Sequence, residues 1–108
     1  MELTHVFSYF FGGMFLTNAI PHFVSGLMGR AFQSPFAKPS GVGLSSSRVN
    51  VIWGWFNLAL AYLLVCRVGN FNLHATGDVA ALGAGMLLLG VLTAQRFGRF
   101  HGGNSAAR

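Results

Sequence analysis

An all-α integral membrane protein of three transmembrane helices, N-terminus out and C-terminus in, is the fold class this sequence predicts, and three observations predict it. Leu3 to Gly29, Val49 to Cys66 and Val79 to Gln95 contain no Asp, Glu, Lys or Arg, and each is near the roughly 20 residues a helix needs to cross a bilayer core. The chain is 53% hydrophobic and only 8% charged, with a mean hydropathy of +0.55. That is too few charges to coat a soluble domain. Finally, Arg30, Lys38 and Arg48 fall in the first connection and Arg96, Arg99 and Arg108 in the tail, while Glu2, Arg67 and Asp78 are the only charges elsewhere. The excess of Lys and Arg places the first loop and the tail in the cytoplasm. A single domain over residues 1–108 follows, with spans at about 5–29, 49–66 and 78–96 and a cytoplasmic loop at about 30–48.

The first run reads as a retained helix, because its start carries Glu2 instead of basic residues and no small-x-small site precedes a polar domain. Pro21 removes the amide that would bond the Thr17 carbonyl, so a kink or a local polar compensation by Thr17 and Asn18 is expected. Gly29 is placed to end the helix. In the loop, Pro35, Pro39, Gly41 and Gly43 exclude a long regular element. Phe32 and Phe36, set among Arg30 and Lys38, suit a segment lying in the headgroup layer. Lys38 at its centre argues against a reentrant loop.

Ser45, Ser46 and Ser47 are candidate caps for the second helix, and with Arg48 they form a corner suited to the phosphate of an anionic lipid. The run lacks the Gly-Lys-Ser/Thr ending of a nucleotide loop. Trp53 and Trp55 read as interfacial anchors. Cys66 reads as a small apolar residue near the outer end of this helix. Asp78 is placed to cap the third helix. On that helix Gly83, Gly90 and Ala94 share a face around Leu87, and membrane helices pack through such small residues. The RFGRFHGGNSAAR tail pairs arginine with phenylalanine and then turns flexible.

Inside the predicted bilayer Asn18, His22 and Ser25 lie on one face of the first helix, and Asn50, Gly54, Asn57 and Ala61 on one face of the second. Antiparallel packing sets Asn18 level with Asn57, within reach of a hydrogen bond. The stripe of Asn18, His22, Ser25 and Asn57 supports three uses: glue between helices, a proton or small-solute pathway through a titratable histidine, and metal or haem ligation if a second copy adds ligands. Glu2 and Asp78 are the only acids, and neither is at the depth of His22. General acid–base catalysis and a Cys–His nucleophile therefore lack their parts. Seven Lys and Arg spread over loops make no stripe for nucleic acid.

The segments NAIPHF from Asn18, FQSPFAKP from Phe32 and VNVIWGWFN from Val49 resemble small multi-span proteins of bacterial membranes that carry no assigned function. That resemblance implies a bacterial inner membrane. The His-Phe pair followed by a Pro-containing aromatic loop is also similar to the DoxX-like membrane proteins, from whose usual four spans three would be a departure. The expected function is an accessory or assembly subunit, or a self-associating scaffold, with no catalysis of its own. An oligomeric pore or transporter is the alternative, and haem or metal binding across a dimer the third. The expected partners are the bilayer and its anionic lipids, met by Arg30, Lys38, Arg48, Trp53, Trp55, Arg96 and Arg99, together with further copies or a larger membrane complex. Gly54, Gly83, Gly90 and Ala94 are the expected packing residues, and no cofactor is named by the sequence.

Overall fold

A computed structural model describes residues 2–105; Arg108, one of the tail charges, lies outside them. The chain is mostly helical. Helix α1 spans Leu3–Leu27, α2 Ser47–Tyr62 and α3 Thr76–His101, and a π-helical turn at Leu63–Val68 prolongs α2. Between α1 and α2 a small hairpin pairs β1 (Phe32–Gln33) with β2 (Leu44–Ser45), Phe32 opposite Ser45 and Gln33 opposite Leu44. The helices run alternately up and down, and α1 is the middle one, packing against both α2 and α3.

Two helices are long and apolar enough to cross a membrane: α2 with its π-turn, Ser47–Val68, and α3, Thr76–His101. Helix α1 is not one of them, although its 25 residues give it a length of about 37 Å. Its uncharged sequence holds Thr4, His5, Ser8, Tyr9, Thr17, Asn18, His22 and Ser25, which dilute its hydropathy. As the helix between two others, α1 has protein on both flanks to receive such groups. The interior is accordingly polar: Asn50 and Asn57 are 0% exposed and His22 3%, while Ile52, Trp55, Leu87, Leu88, Val91 and Leu92 point outward.

Local signals explain most boundaries. Gly29, at φ 74°, ends α1, and Arg30 N–H returns to the Ser25 carbonyl. Ser46 caps α2, its Oγ accepting from Val49 N–H at 3.2 Å. Pro21 sits inside α1 without the expected help, since Thr17 Oγ1 has no hydrogen-bond partner among the described residues and Asn18 bonds across to α2. Asp78 does not cap α3. Ala75 holds that position, and Asp78, in the first turn, accepts from Asn72 N–H at 3.0 Å and closes the connection.

Helix α3 also outruns its expected end at about residue 96. Phe97 and His101 continue it because both pack on Phe32 of the hairpin, with ring centroids 4.8 and 5.2 Å away. Gly102, at φ 81°, then stops it, and Asn104 Nδ2–H donates to the Gln95 carbonyl at 2.8 Å. The hairpin and the end of α3 thus share one end of the bundle, where Arg96 donates to the Gly41 carbonyl at 3.0 Å. At the opposite end Asn70 N–H donates to Tyr9 Oη at 3.0 Å.

The helices close on glycines, but not mainly the expected ones. A Cβ on Gly85 would fall on the Phe10 carbonyl, and one on Gly13 on the Leu82 carbonyl, so α1 and α3 meet backbone to backbone. Gly54 does face α1, where a Cβ would lie 2.7 Å from Phe23 N, and Gly26 faces the start of α2. Gly83 meets nothing within 4 Å, Gly90 only Thr17 Cγ2 at 3.9 Å, and Ala94 is exposed. Gly83 and Gly85 lie roughly 200° apart around the helix, so choosing Gly85 as the inner face turns Gly83, Gly90 and Ala94 outward.

Candidate functional site: a polar seam and a cavity at the hairpin end

Helices α1 and α2 are joined by a seam of amides and one imidazole. Asn18 Nδ2–H donates to Asn57 Oδ1 at 3.0 Å, and Asn57 Nδ2–H donates to the Trp53 carbonyl at 2.8 Å. One turn toward the hairpin, His22 Nδ1 lies 2.8 Å from Asn50 Oδ1. The Asn50 amide nitrogen faces three carbonyls, of Phe32 and Ser45 at 3.2 Å and of Ser46 at 3.0 Å. Carbonyls only accept, so this atom is the NH2 group and Oδ1 is the acceptor left for His22. The proton of the His22–Asn50 bond therefore sits on Nδ1, and Nε2 is the ring nitrogen that remains available.

Ser25, the fourth member of the expected stripe, is half-buried and stands outside these side-chain bonds. Asn50 takes its place. It lies seven residues before Asn57, on the same face of α2, which was the available signal. Gln33 and Ser34 are buried in the hairpin, where Ser34 Oγ bonds Ser45 Oγ and accepts from Phe36 N–H. His101 Nε2 lies 2.9 Å from Gln33 Oε1, a pairing hidden from sequence because the tail was not expected to be helical.

A cavity of about 240 Å³ opens where all three helices meet the hairpin, lined by Asn18, His22, Trp53, Thr93, Arg96 and Phe97 with Gln33, Ser34, Pro35 and Gly41. The His22 ring stands edge-on among Phe32, Phe97 and Trp53, at centroid distances of 5.6, 6.0 and 6.4 Å. Trp53 is thus more than an anchor: it forms one wall, and its Nε1–H is buried without a partner among the described residues. Trp55, two residues on, is 61% exposed on the other side. Arg30, Lys38, Arg48 and Arg99 are exposed at this same end.

The cavity offers the amides of Asn18 and Gln33, the hydroxyls of Ser34 and Thr93, one imidazole and one cation, but no carboxylate or thiol among its lining residues. Glu2 lies beside His5, 3.6 Å from its Nε2, and Asp78 belongs to the other connection. Cys66 is exposed, and no three His, Cys, Asp or Glu side chains gather among the described residues. Such an equipment suits binding and packing.

The molecule is thus a three-helix chain with two helices fit to cross a membrane, a polar interior and an apolar outside. No protein-family model, curated protein or solved structure matches it. The likeness of Asn18–Trp55 to bacterial multi-span proteins consequently gives it no family.

Proposed function

We propose that this chain is a small multi-pass protein of a bacterial inner membrane that crosses the bilayer three times, N-terminus out and C-terminus in, and serves as an accessory subunit or self-associating scaffold without chemistry of its own. The observation that carries this reading is the inverted distribution of polarity, amides inside and large apolar side chains outside, which suits hydrocarbon as the solvent. Helix α1 counts as the third span because it is long enough and lies between the other two. Exposed Arg30, Lys38, Arg48, Arg96 and Arg99 at the hairpin end suit the cytoplasmic headgroups of anionic lipids.

Self-association would use the outward face of α3. Gly83, Leu87, Gly90, Val91 and Ala94, with Thr17 and Ile20 of α1, line an apolar groove of about 530 Å³, and Leu87 is 71% exposed. Small residues let a neighbouring helix approach closely. Replacing Gly83 and Gly90 together with leucine is expected to convert assemblies, read by cross-linking in native membranes, to single chains. Their melting in detergent should hold, because neither glycine packs closely within the chain. Unchanged cross-linking would mean that this face meets only lipid.

The orientation has its own test. Reporters fused at Met1 and after Arg108 should lie on opposite sides of the membrane, and a periplasmic C-terminus would overturn the topology. A pathway through an oligomer remains the second reading, favoured by the fact that Asn18 and His22 both border the cavity. Proton flux into liposomes that is lost in a folded His22→Gln protein would promote it over the scaffold.

A further inference from the structure

We infer that the cavity at the hairpin end is a phosphate-binding site, which goes beyond the scaffold reading and does not depend on it. Its walls combine the three functions that a monoprotonated phosphate group needs. Arg96 supplies the charge: one Nη2–H is held by the Gly41 carbonyl at 3.0 Å, which fixes the guanidinium at the cavity and leaves its other N–H groups for a ligand. The backbone approaches it this closely because residue 41 has no side chain; a Cβ there would lie 2.6 Å from Nη2. Trp53 borders the cavity, and its indole N–H is buried without a partner among the described residues, so a side-chain shift that brought it to a ligand oxygen would satisfy it. His22 supplies the acceptor, since the proton of the bond to Asn50 occupies Nδ1 and a neutral ring then offers the Nε2 lone pair to a P–OH.

The surrounding charge has one sign. The only acids in the sequence are Glu2 and Asp78, each in the first turn or cap of a helix that starts at the far end. The cavity is therefore an uncompensated positive site, and its about 240 Å³ gives room for a phosphate group. It is separate from the corner at Ser45 to Arg48, where Ser46 is occupied in capping α2. Two sources carry this chemistry, the headgroup of a phosphatidic acid and free inorganic phosphate.

The test uses the full chain carrying Trp55→Phe, which leaves Trp53 as the sole tryptophan, in dodecyl maltoside at constant ionic strength. Emission of Trp53 is followed during titration with inorganic phosphate, dihexanoyl phosphatidic acid and dihexanoyl phosphatidylcholine. A saturable change is expected with phosphatidic acid and none with phosphatidylcholine, which has no P–OH. Saturation by phosphatidic acid alone assigns the lipid headgroup, and saturation by inorganic phosphate as well assigns the free ion. Arg96→Gln should weaken the apparent affinity about tenfold, whereas Lys38→Gln, away from the cavity, should change it by less than about twofold. His22→Asn keeps a donor toward Asn50 and so the fold, but its acceptor oxygen stands short of the position of Nε2, and it should also weaken binding about tenfold. Helicity measured in parallel shows that each variant is folded. No saturable response to either phosphate, an equal response to phosphatidylcholine, or unchanged affinity in folded Arg96→Gln and His22→Asn proteins would overturn the site.

Discussion

Replacing Gly85 with valine is expected to destabilise the bundle by about 3 kcal/mol or more, as overpacking against a rigid neighbour does. The new Cβ would have to share space with the Phe10 carbonyl. That group belongs to the α1 backbone and has no rotamer by which to yield, so the two helices must separate. Gly13→Val should do the same through the Leu82 carbonyl. Both changes relieve their clash by the same separation of α1 from α3, so the double variant should cost less than the sum of the two. Gly83→Val is the matched control, two residues away with nothing within 4 Å, and should melt within about 0.5 kcal/mol of the parent. Thermal unfolding in detergent, followed by circular dichroism, measures all four. Equal melting of the Gly83 and Gly85 variants would show that α1 and α3 do not cross there.

That contrast also shows where sequence reasoning stops. Periodicity puts Gly83, Gly90 and Ala94 on one face of α3, and nothing local says whether that face looks inward. In a soluble helix the apolar side would turn in, but α3 is apolar almost all round. Facing is then decided by a partner's shape, here Phe10 and Gly13 of α1 approaching Gly85 and Leu82. Capping was more legible because its chemistry is local. Ser46 sits one residue before a helix and Gly29 just after one, and each does what its side chain, or lack of one, allows. Asp78 had the right chemistry but the wrong register, with α3 beginning two residues earlier at Thr76.

Within the site, legibility followed sequence distance. Asn18 and Asn57 face each other because antiparallel neighbours of similar length set their midpoints level, which counting along two helices reveals. The shift of His22 from a lone intramembrane histidine to half of a His–Asn pair needed Asn50, visible on the same face of α2 but read only as a face residue. The walls formed by Gln33, Ser34 and Arg96 were out of reach, since they depend on the hairpin folding back over the helix ends. That fold-back is held by Phe32 between Phe97 and His101, a long-range aromatic contact with no periodic trace.

The Asn50→Leu protein should lose about 3 kcal/mol, more than any change at His22, because Asn50 is where the hairpin, α1 and α2 are tied together. Its amide serves the carbonyls of Phe32, Ser45 and Ser46, and its Oδ1 serves His22. Leucine would remove this donor from the Phe32 and Ser45 carbonyls and the acceptor from His22, while Ser46 keeps the backbone N–H of residue 50; the position is 0% exposed, where each unmet group costs about 1 to 3 kcal/mol before relaxation. His22→Leu strands only Asn50 Oδ1 and should cost about 1 kcal/mol. The two conservative replacements should then separate. Asparagine at 22 sets its amide nitrogen close to where Nδ1 stood and keeps the bond, whereas glutamine carries its amide farther out, toward the position of Nε2, and holds the bond less well. The expected order of stability is parent, His22→Asn, His22→Gln, His22→Leu, Asn50→Leu. A double-mutant cycle between positions 22 and 50 should return a coupling of about 1 kcal/mol. Zero coupling would mean that the 2.8 Å contact contributes nothing to stability, and an Asn50→Leu protein no weaker than His22→Leu would mean that water, not Asn50, satisfies the hairpin carbonyls.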